Sequence, residues 1–86
     1  MKNPVDIVVF RKFKDDNEVI ALFPLIDWDE KYCTSYMHVG QHSGADYFGL
    51  ITDTEPASAD EYAELKKELE SIGYILFPVL ADDAKN

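Results

Sequence analysis

The sequence predicts a small α+β protein in which a four- to five-stranded, mainly antiparallel sheet carries one helix on one face, in the order β-β-β-(β)-α-β. Three observations lead to this prediction. Two runs rich in β-branched and aromatic residues flank a short polar turn, an alternating stretch follows them, and a capped amphipathic run comes later. The 86 residues, 47% of them hydrophobic, predict one domain over 1–86, with an ordered core over 4–81 and a fraying polar tail over 82–86.

The first two strands are expected to form an antiparallel hairpin. Val5–Phe13 has apolar side chains on both faces of its middle, which predicts a strand covered at least in part on both sides. Lys14–Glu18 reads as the turn and Val19–Phe23 as the second strand. Pro24 has no N–H to donate, so we expect it to end the strand or lie on an edge. Trp28, in the polar loop that follows, is expected to cap the core; an exposed anchor for a partner is the alternative.

The third strand, predicted over Tyr32–Val39, alternates along its length. We assign its small, mostly apolar side chains to the core and its polar-tipped side chains to a half-exposed face. The core set is Cys33, Ser35, Met37 and Val39, and the half-exposed set is Tyr32, Thr34, Tyr36 and His38.

The segment after the third strand allows two interpretations. Gly40–Gly44 is expected to break the strand. Tyr47–Thr52 is predicted as a fourth strand, with Gly49 at a bulge, because it is rich in residues that favour strands. A helical turn over Ala45–Phe48 is the competing interpretation.

A helix is predicted from Ser58 onward. Ser58 and Glu61 have the spacing of a capping box, and Gly73 is placed to end the helix with a positive φ. The side chains expected to face the sheet are Tyr62, Leu65, Leu69 and Ile72. Tyr74–Leu80, interrupted by Pro78, is expected to form an edge strand parallel to the fourth strand, joined to it by a right-handed crossover.

Composition excludes several classes of function. Seventeen acidic and eight basic residues give a net charge of −9, which argues against direct binding of nucleic acid. The basic cluster Arg11, Lys12 and Lys14 is followed at once by acids. We find no apolar run of the roughly 18 residues that a membrane span requires, and no apolar segment typical of a signal peptide at the start. A single cysteine fits a reducing compartment, so a cytoplasmic protein without a cofactor is expected.

Two kinds of chemistry are considered for the middle of the chain. Cys33, His38, His42 and Asp46 are all metal-ligand types, but their spacing is weak evidence and strand alternation separates Cys33 from His38. The same separation argues against a Cys–His nucleophile pair, and no phosphate-binding glycine motif is present. The sequence therefore assigns no catalytic residue, and we do not expect an enzyme.

A recognition surface is the preferred hypothesis. Tyr and His combine apolar area with a hydrogen-bonding tip, as recognition surfaces often do, although tyrosines on a sheet face also support one another as cross-strand pairs. The function expected is non-enzymatic binding of a protein partner; alternatives are a metal- or small-ligand-binding protein using His38 and His42, and an acidic mimic of nucleic acid. The predicted binding residues are Tyr36, His38, Gln41, His42 and Tyr47, and the predicted acidic face is Glu61, Glu64 and Glu68.

Four segments, in order along the chain, carry a resemblance. These are Val8–Phe13, Val19–Pro24, the Ser-Tyr-Met-His-Val-Gly-Gln-His core at Ser35–His42 with Ala45–Tyr47 after it, and Glu61–Tyr74. Together they resemble a group of small uncharacterised bacterial and phage-borne proteins. The resemblance implies a bacterial or mobile-element setting, and it implies no activity and no functional residues.

Overall fold

The computed structural model describes residues 5–38 and 41–81, except the side chain of Gln41, and it confirms the α+β class. The predicted tail over 82–86 and the predicted roles of Val39 and Gly40 lie outside the described residues. The elements in chain order are β1 (Asp6–Phe13), β2 (Val19–Asp27), β3 (Cys33–Met37), β4 (Gln41–Ala45), α1 (Tyr47–Asp53), β5 (Thr54–Pro56), α2 (Ala59–Ser71) and β6 (Leu76–Pro78).

Strand β1 lies inside a six-stranded sheet whose main order is β4-β3-β2-β1-β5. One side of β1 pairs antiparallel with β2, as the predicted hairpin requires. Its other side is shared by two short strands: β5 pairs antiparallel with Arg11–Phe13, and β6 pairs parallel with Asp6–Val8. The expected parallel pairing of a fourth strand with the last strand is therefore wrong, because both short strands pair with β1 instead.

Helix α2 begins with the predicted capping box. The Ser58 hydroxyl accepts a hydrogen bond from the Glu61 N–H, and the Glu61 carboxylate accepts one from the Ser58 N–H. Leu65 and Leu69 are buried against the sheet, and burial of such a side chain stabilises a fold by about 1.5–3 kcal/mol. Ile72 was expected on the same stripe, but it is the C-cap residue and is 53% exposed.

Gly73 and Pro24 were both predicted at the ends of elements, and only the prediction for Gly73 is confirmed. Gly73 follows α2 with a φ of 114°, the positive value that the sequence predicts. Pro24 does not end the second strand, since β2 continues to Asp27. The register between β2 and β3 shifts between Phe23 and Asp27, and such a bulge is one of the few places where a strand tolerates proline.

The segment after β3 differs most from the sequence-based expectation. Gln41–Ala45 forms β4, an edge strand paired with β3, where a break was predicted. Tyr47–Asp53 forms α1, where a fourth strand was predicted, so the competing helical interpretation is closer. Tyr47, Leu50 and Ile51 have the spacing of one helical face and pack on the sheet, which outweighs their preference for strands.

The two helices cover opposite faces of the sheet. The face under α2 buries Val8, Phe10, Ala21, Phe23 and Tyr36 with Leu65 and Leu69. The face under α1 buries Val9, Ile20, Leu22, Cys33 and Ala45 with Tyr47. Both sides of β1 and β3 are therefore covered, as predicted for β1 and contrary to the half-exposed face predicted for β3.

Trp28 does not cap the core and remains 50% exposed. Its indole lies over Gly44 in β4, where an added Cβ would come within 2.5 Å of the Trp28 Cδ1 atom. In the part of the chain that the structure describes, no helix is long and apolar enough to cross a membrane.

Candidate recognition surface

The carboxylate of Glu68 on α2 joins two side chains of the β3–β4 hairpin. The Tyr36 hydroxyl donates a hydrogen bond to Glu68 Oε2, and His38 Nδ1 lies 2.5 Å from Glu68 Oε1. Tyr36 is 2% exposed, so its hydroxyl reaches Glu68 from within the core. The His38 side chain is 75% exposed, while that of Glu68 is only 22% exposed. Glu68 therefore fixes an accessible imidazole at the junction of hairpin and helix.

A second histidine is held in the same region. His42 faces Tyr36 across the β3–β4 pair, with ring centroids 4.7 Å apart in an edge-to-face arrangement. Its Nε2 atom lies 2.9 Å from the Tyr74 hydroxyl, and the Tyr74 ring stacks on Phe23 at 5.0 Å. Burial, together with the negative charge of Asp6, raises the pKa of Tyr74, so its hydroxyl stays protonated at neutral pH.

These contacts define one surface, which we call the hairpin–helix surface: Tyr36, His38, His42, Glu68 and Tyr74. The hydrogen bonds of both histidines reach residues 30 and 32 positions away in the sequence, so the fold brings the histidines and their partners together. Because the partners lie on α2 and just after it, they tie the hairpin to the helix. The result is a polar, aromatic and preorganised surface.

An acidic groove adjoins this surface. It encloses about 190 Å³ between the start of β2, the end of β3 and the first half of α2. Val19 and Leu65 supply its apolar part, and His38 lies at its side. Its carboxylates come from Glu18, Glu61 and Glu64. The groove is therefore negatively charged and partly apolar.

The three acids of the predicted acidic face have different surroundings. Glu61 lies 2.5 Å from Lys12 Nζ and also closes the capping box, and the Lys12 ammonium lowers the pKa of its carboxyl. Lys12 has a raised pKa for the same reason. Glu64 is exposed in the groove, and Glu68 belongs to the hairpin–helix surface.

The predicted binding residues divide between the two faces of the sheet. His38 and His42 are exposed on the α2 side, and Tyr36 lies beneath them as a buried support rather than a half-exposed contact. Tyr47 is on the α1 side, 7% exposed, with its hydroxyl bonded to the Ala81 carbonyl at 3.3 Å. Only the backbone of Gln41 is described, as part of β4.

The four predicted metal ligands do not meet. Cys33 is buried under α1, Asp46 is the N-cap of α1, and His38 and His42 contact Glu68 and Tyr74 on the other side. Among residues 5–38 and 41–81, no group of three His, Cys, Asp or Glu side chains could hold a metal ion. The same placement separates Cys33 from both histidines, which leaves no nucleophile–base pair there.

The structure gives Arg11 a role that sequence reasoning missed. Arg11 is only 7% exposed, and its guanidinium reaches the end of α1 and β5. Nε donates to Thr54 Oγ1 at 2.9 Å, while Nη2 donates to the Ile51 and Thr54 carbonyls at 2.9 and 2.7 Å. The sequence signal that could have indicated this role is the presence of a charged residue within the apolar pattern of β1. Lys12 binds Glu61, so two of the three residues of the basic cluster make contacts within the fold.

Comparisons with protein-family models, curated proteins and solved structures find no significant match to this chain. The resemblance to small bacterial and phage-borne proteins therefore stays a prediction. Any functional assignment has to be argued from the geometry described above.

Proposed function

We propose that this protein is a non-enzymatic binding module that recognises a basic segment of a protein partner. The contact region is the hairpin–helix surface together with the acidic groove. The observation that carries the proposal is the position of His38, which is exposed, fixed by Glu68 and adjacent to the groove carboxylates.

Preorganisation supports this proposal. A side chain that is already held in place loses little conformational entropy when a partner binds. Glu68 holds His38, and Tyr74 holds His42, through side chains that the core orients. Both histidines therefore present their rings in a defined position.

Charge indicates the chemistry of the partner. The groove carries Glu18 and Glu64 in a chain of net charge −9, so a positively charged segment is favoured both in approach and in the bound state. The half-buried side chain of Val19 would contact the aliphatic part of a lysine or arginine. A cytoplasmic setting agrees with a single, buried cysteine, Cys33.

The alternatives have less support. A mimic of nucleic acid needs a continuous negative face, but Lys66 and Lys67 interrupt the acids of α2, and Lys66 pairs with Glu70 at 2.7 Å. A metal-binding role lacks a ligand group in the described part of the chain.

The test is selection of binding peptides from a random display library, followed by affinity measurements by fluorescence anisotropy. We expect enrichment of peptides rich in Lys and Arg. Glu64→Lys should weaken their binding about tenfold, because it replaces an attraction with a repulsion. Asp53→Lys makes the same change of charge in α1, which covers the other face of the sheet from α2, and should alter affinity less than twofold.

Two results would contradict the proposal. One is enrichment of peptides without basic residues. The other is an equal loss of affinity in Glu64→Lys and Asp53→Lys, since only overall charge would then matter. Replacing His38 with alanine provides a further check on the surface, and it should weaken the selected peptides without lowering thermal stability by more than a few degrees.

A further inference from the structure

A second pocket lies at the opposite end of β3 from His38. It is bounded by the end of β2, the loop between β2 and β3, and the start of α1, and it encloses about 170 Å³. Pockets for drug-sized ligands usually hold about 300–1,000 Å³. The size of this loop pocket therefore suits a single long side chain.

Two exposed aromatic side chains line the loop pocket. Phe48 is 68% exposed and Tyr32 is 43% exposed. Large apolar side chains that stay exposed around one pocket are a common mark of a contact surface. The Phe48 ring stands edge-to-face against Tyr47 at 5.5 Å, and Tyr47 is buried, so the fold orients Phe48.

The loop is also fixed. The Tyr32 carbonyl accepts hydrogen bonds from the N–H groups of Trp28 at 2.9 Å and Asp29 at 3.3 Å. Asp29 Oδ1 in turn accepts from the N–H groups of Lys31 at 2.8 Å and Tyr32 at 3.0 Å. These bonds hold the backbone of Tyr32 at the rim of the pocket.

Charge identifies the occupant. The pocket is lined by Asp27, Asp29, Glu30 and Asp46, with Lys31 as the opposing base. The carboxylate of Asp46, the N-cap residue of α1, lies over Gly49, where an added Cβ would come within 2.5 Å of Asp46 Oδ2. Aromatic rings and carboxylates together favour a cation on an aliphatic stem, since a cation is attracted to ring faces and its stem packs against apolar surface.

We propose that the loop pocket binds one arginine or lysine side chain of a protein partner. The stem contacts Tyr32 and Phe48, and the cation lies near Asp46 and Asp27. This site is distinct from the hairpin–helix surface and does not depend on it, because it is built from the other face and the other end of the sheet.

The probes are three single-residue ligands: Nα-acetyl-arginine amide, Nα-acetyl-lysine amide and Nα-acetyl-norleucine amide. Each is titrated into the ¹⁵N-labelled protein while amide chemical shifts are recorded. We expect saturable shifts at residues 27–32 and 46–48 with the two cationic probes. Norleucine amide, which has the stem without the charge, should bind at least fivefold more weakly.

Variants locate the site. Phe48→Ala should weaken the cationic probes about two- to fivefold, the range of an exposed cation–π contact. Phe48 belongs to neither core cluster, so its removal should leave the fold intact. Asp46→Asn should weaken them by up to about fivefold, whereas Asp53→Asn, which removes the same charge at the far end of α1, should leave affinity unchanged.

Three outcomes would overturn the inference. These are shifts spread over all acidic residues without saturation, norleucine amide binding as well as the cations, or Phe48→Ala binding as well as the wild type. None of them bears on Glu64 or His38, so the loop pocket and the proposed function can fail separately.

Discussion

Replacing Arg11 with methionine should destabilise the fold strongly. Methionine fills similar space but donates no hydrogen bond, so the Ile51 and Thr54 carbonyls lose their guanidinium donor. An acceptor left unsatisfied in the interior costs about 1–3 kcal/mol. Thr54 Oγ1 is less affected, because it still donates to the Leu50 carbonyl at 2.5 Å.

The expected net loss is about 2–4 kcal/mol of unfolding free energy. The cost of leaving both carbonyls unsatisfied is partly offset, because the variant no longer has to remove a charged guanidinium from water. For a domain of this size, such a loss lowers the melting temperature by roughly 8–30 °C. The assay is urea and thermal unfolding followed by circular dichroism, with the change in urea midpoint giving the difference in stability.

Lys14→Met is the matched control for this experiment. It removes the same charge from the exposed β1–β2 turn and should change stability by less than about 0.5 kcal/mol. Arg11→Lys should be intermediate, because one ammonium cannot reproduce the planar fork. If Arg11→Met were no less stable than Lys14→Met, the role assigned to the guanidinium would be refuted.

Two further predictions concern α2 and Tyr74. Ser58→Ala should cost about 1 kcal/mol by removing the N-cap acceptor, measured as a shift in urea midpoint; an unchanged midpoint would mean that the capping box does not contribute. The pKa of Tyr74 is raised above its ordinary 10.0, so the Tyr74 hydroxyl loses its proton at a lower pH in the unfolded state than in the folded state. The contribution of the protonated hydroxyl to the free energy of unfolding is therefore complete below about pH 10 and declines above it. Melting temperatures between pH 8 and 11 should therefore fall more steeply in the wild type than in Tyr74→Phe, and parallel curves would contradict this.

The elements predicted correctly are those specified by neighbouring residues. The capping box needs only Ser58 and Glu61, and the first hairpin needs only two β-rich runs and a polar turn. The class of the fold follows from these elements. Tyr47–Asp53 could not be assigned on the same basis, because its residues favour strands and its helix is stabilised by packing on the sheet.

The contacts of the hairpin–helix surface could be predicted only in part, for a related reason. The alternation in β3 correctly separated Tyr36 from Cys33, but it could not tell that helices cover both faces. Tyr36 was therefore predicted as a surface contact, whereas in the structure it is buried and bonds to Glu68. The roles of Glu68 and Tyr74 depend on contacts spanning about 30 residues, and no local pattern carries that information.

The position of β1 has a consequence for how the protein folds during synthesis. The first half of β1 needs β6 as its neighbour: the Asp6 N–H donates to the Ile75 carbonyl, and the Val79 N–H donates to the Val8 carbonyl. Nearly 70 residues must be translated between these partners, and contacts so distant in sequence form slowly. A nascent chain ending before residue 75 would therefore expose an open, apolar strand edge to other chains on the ribosome, and chaperone protection would matter most at that stage.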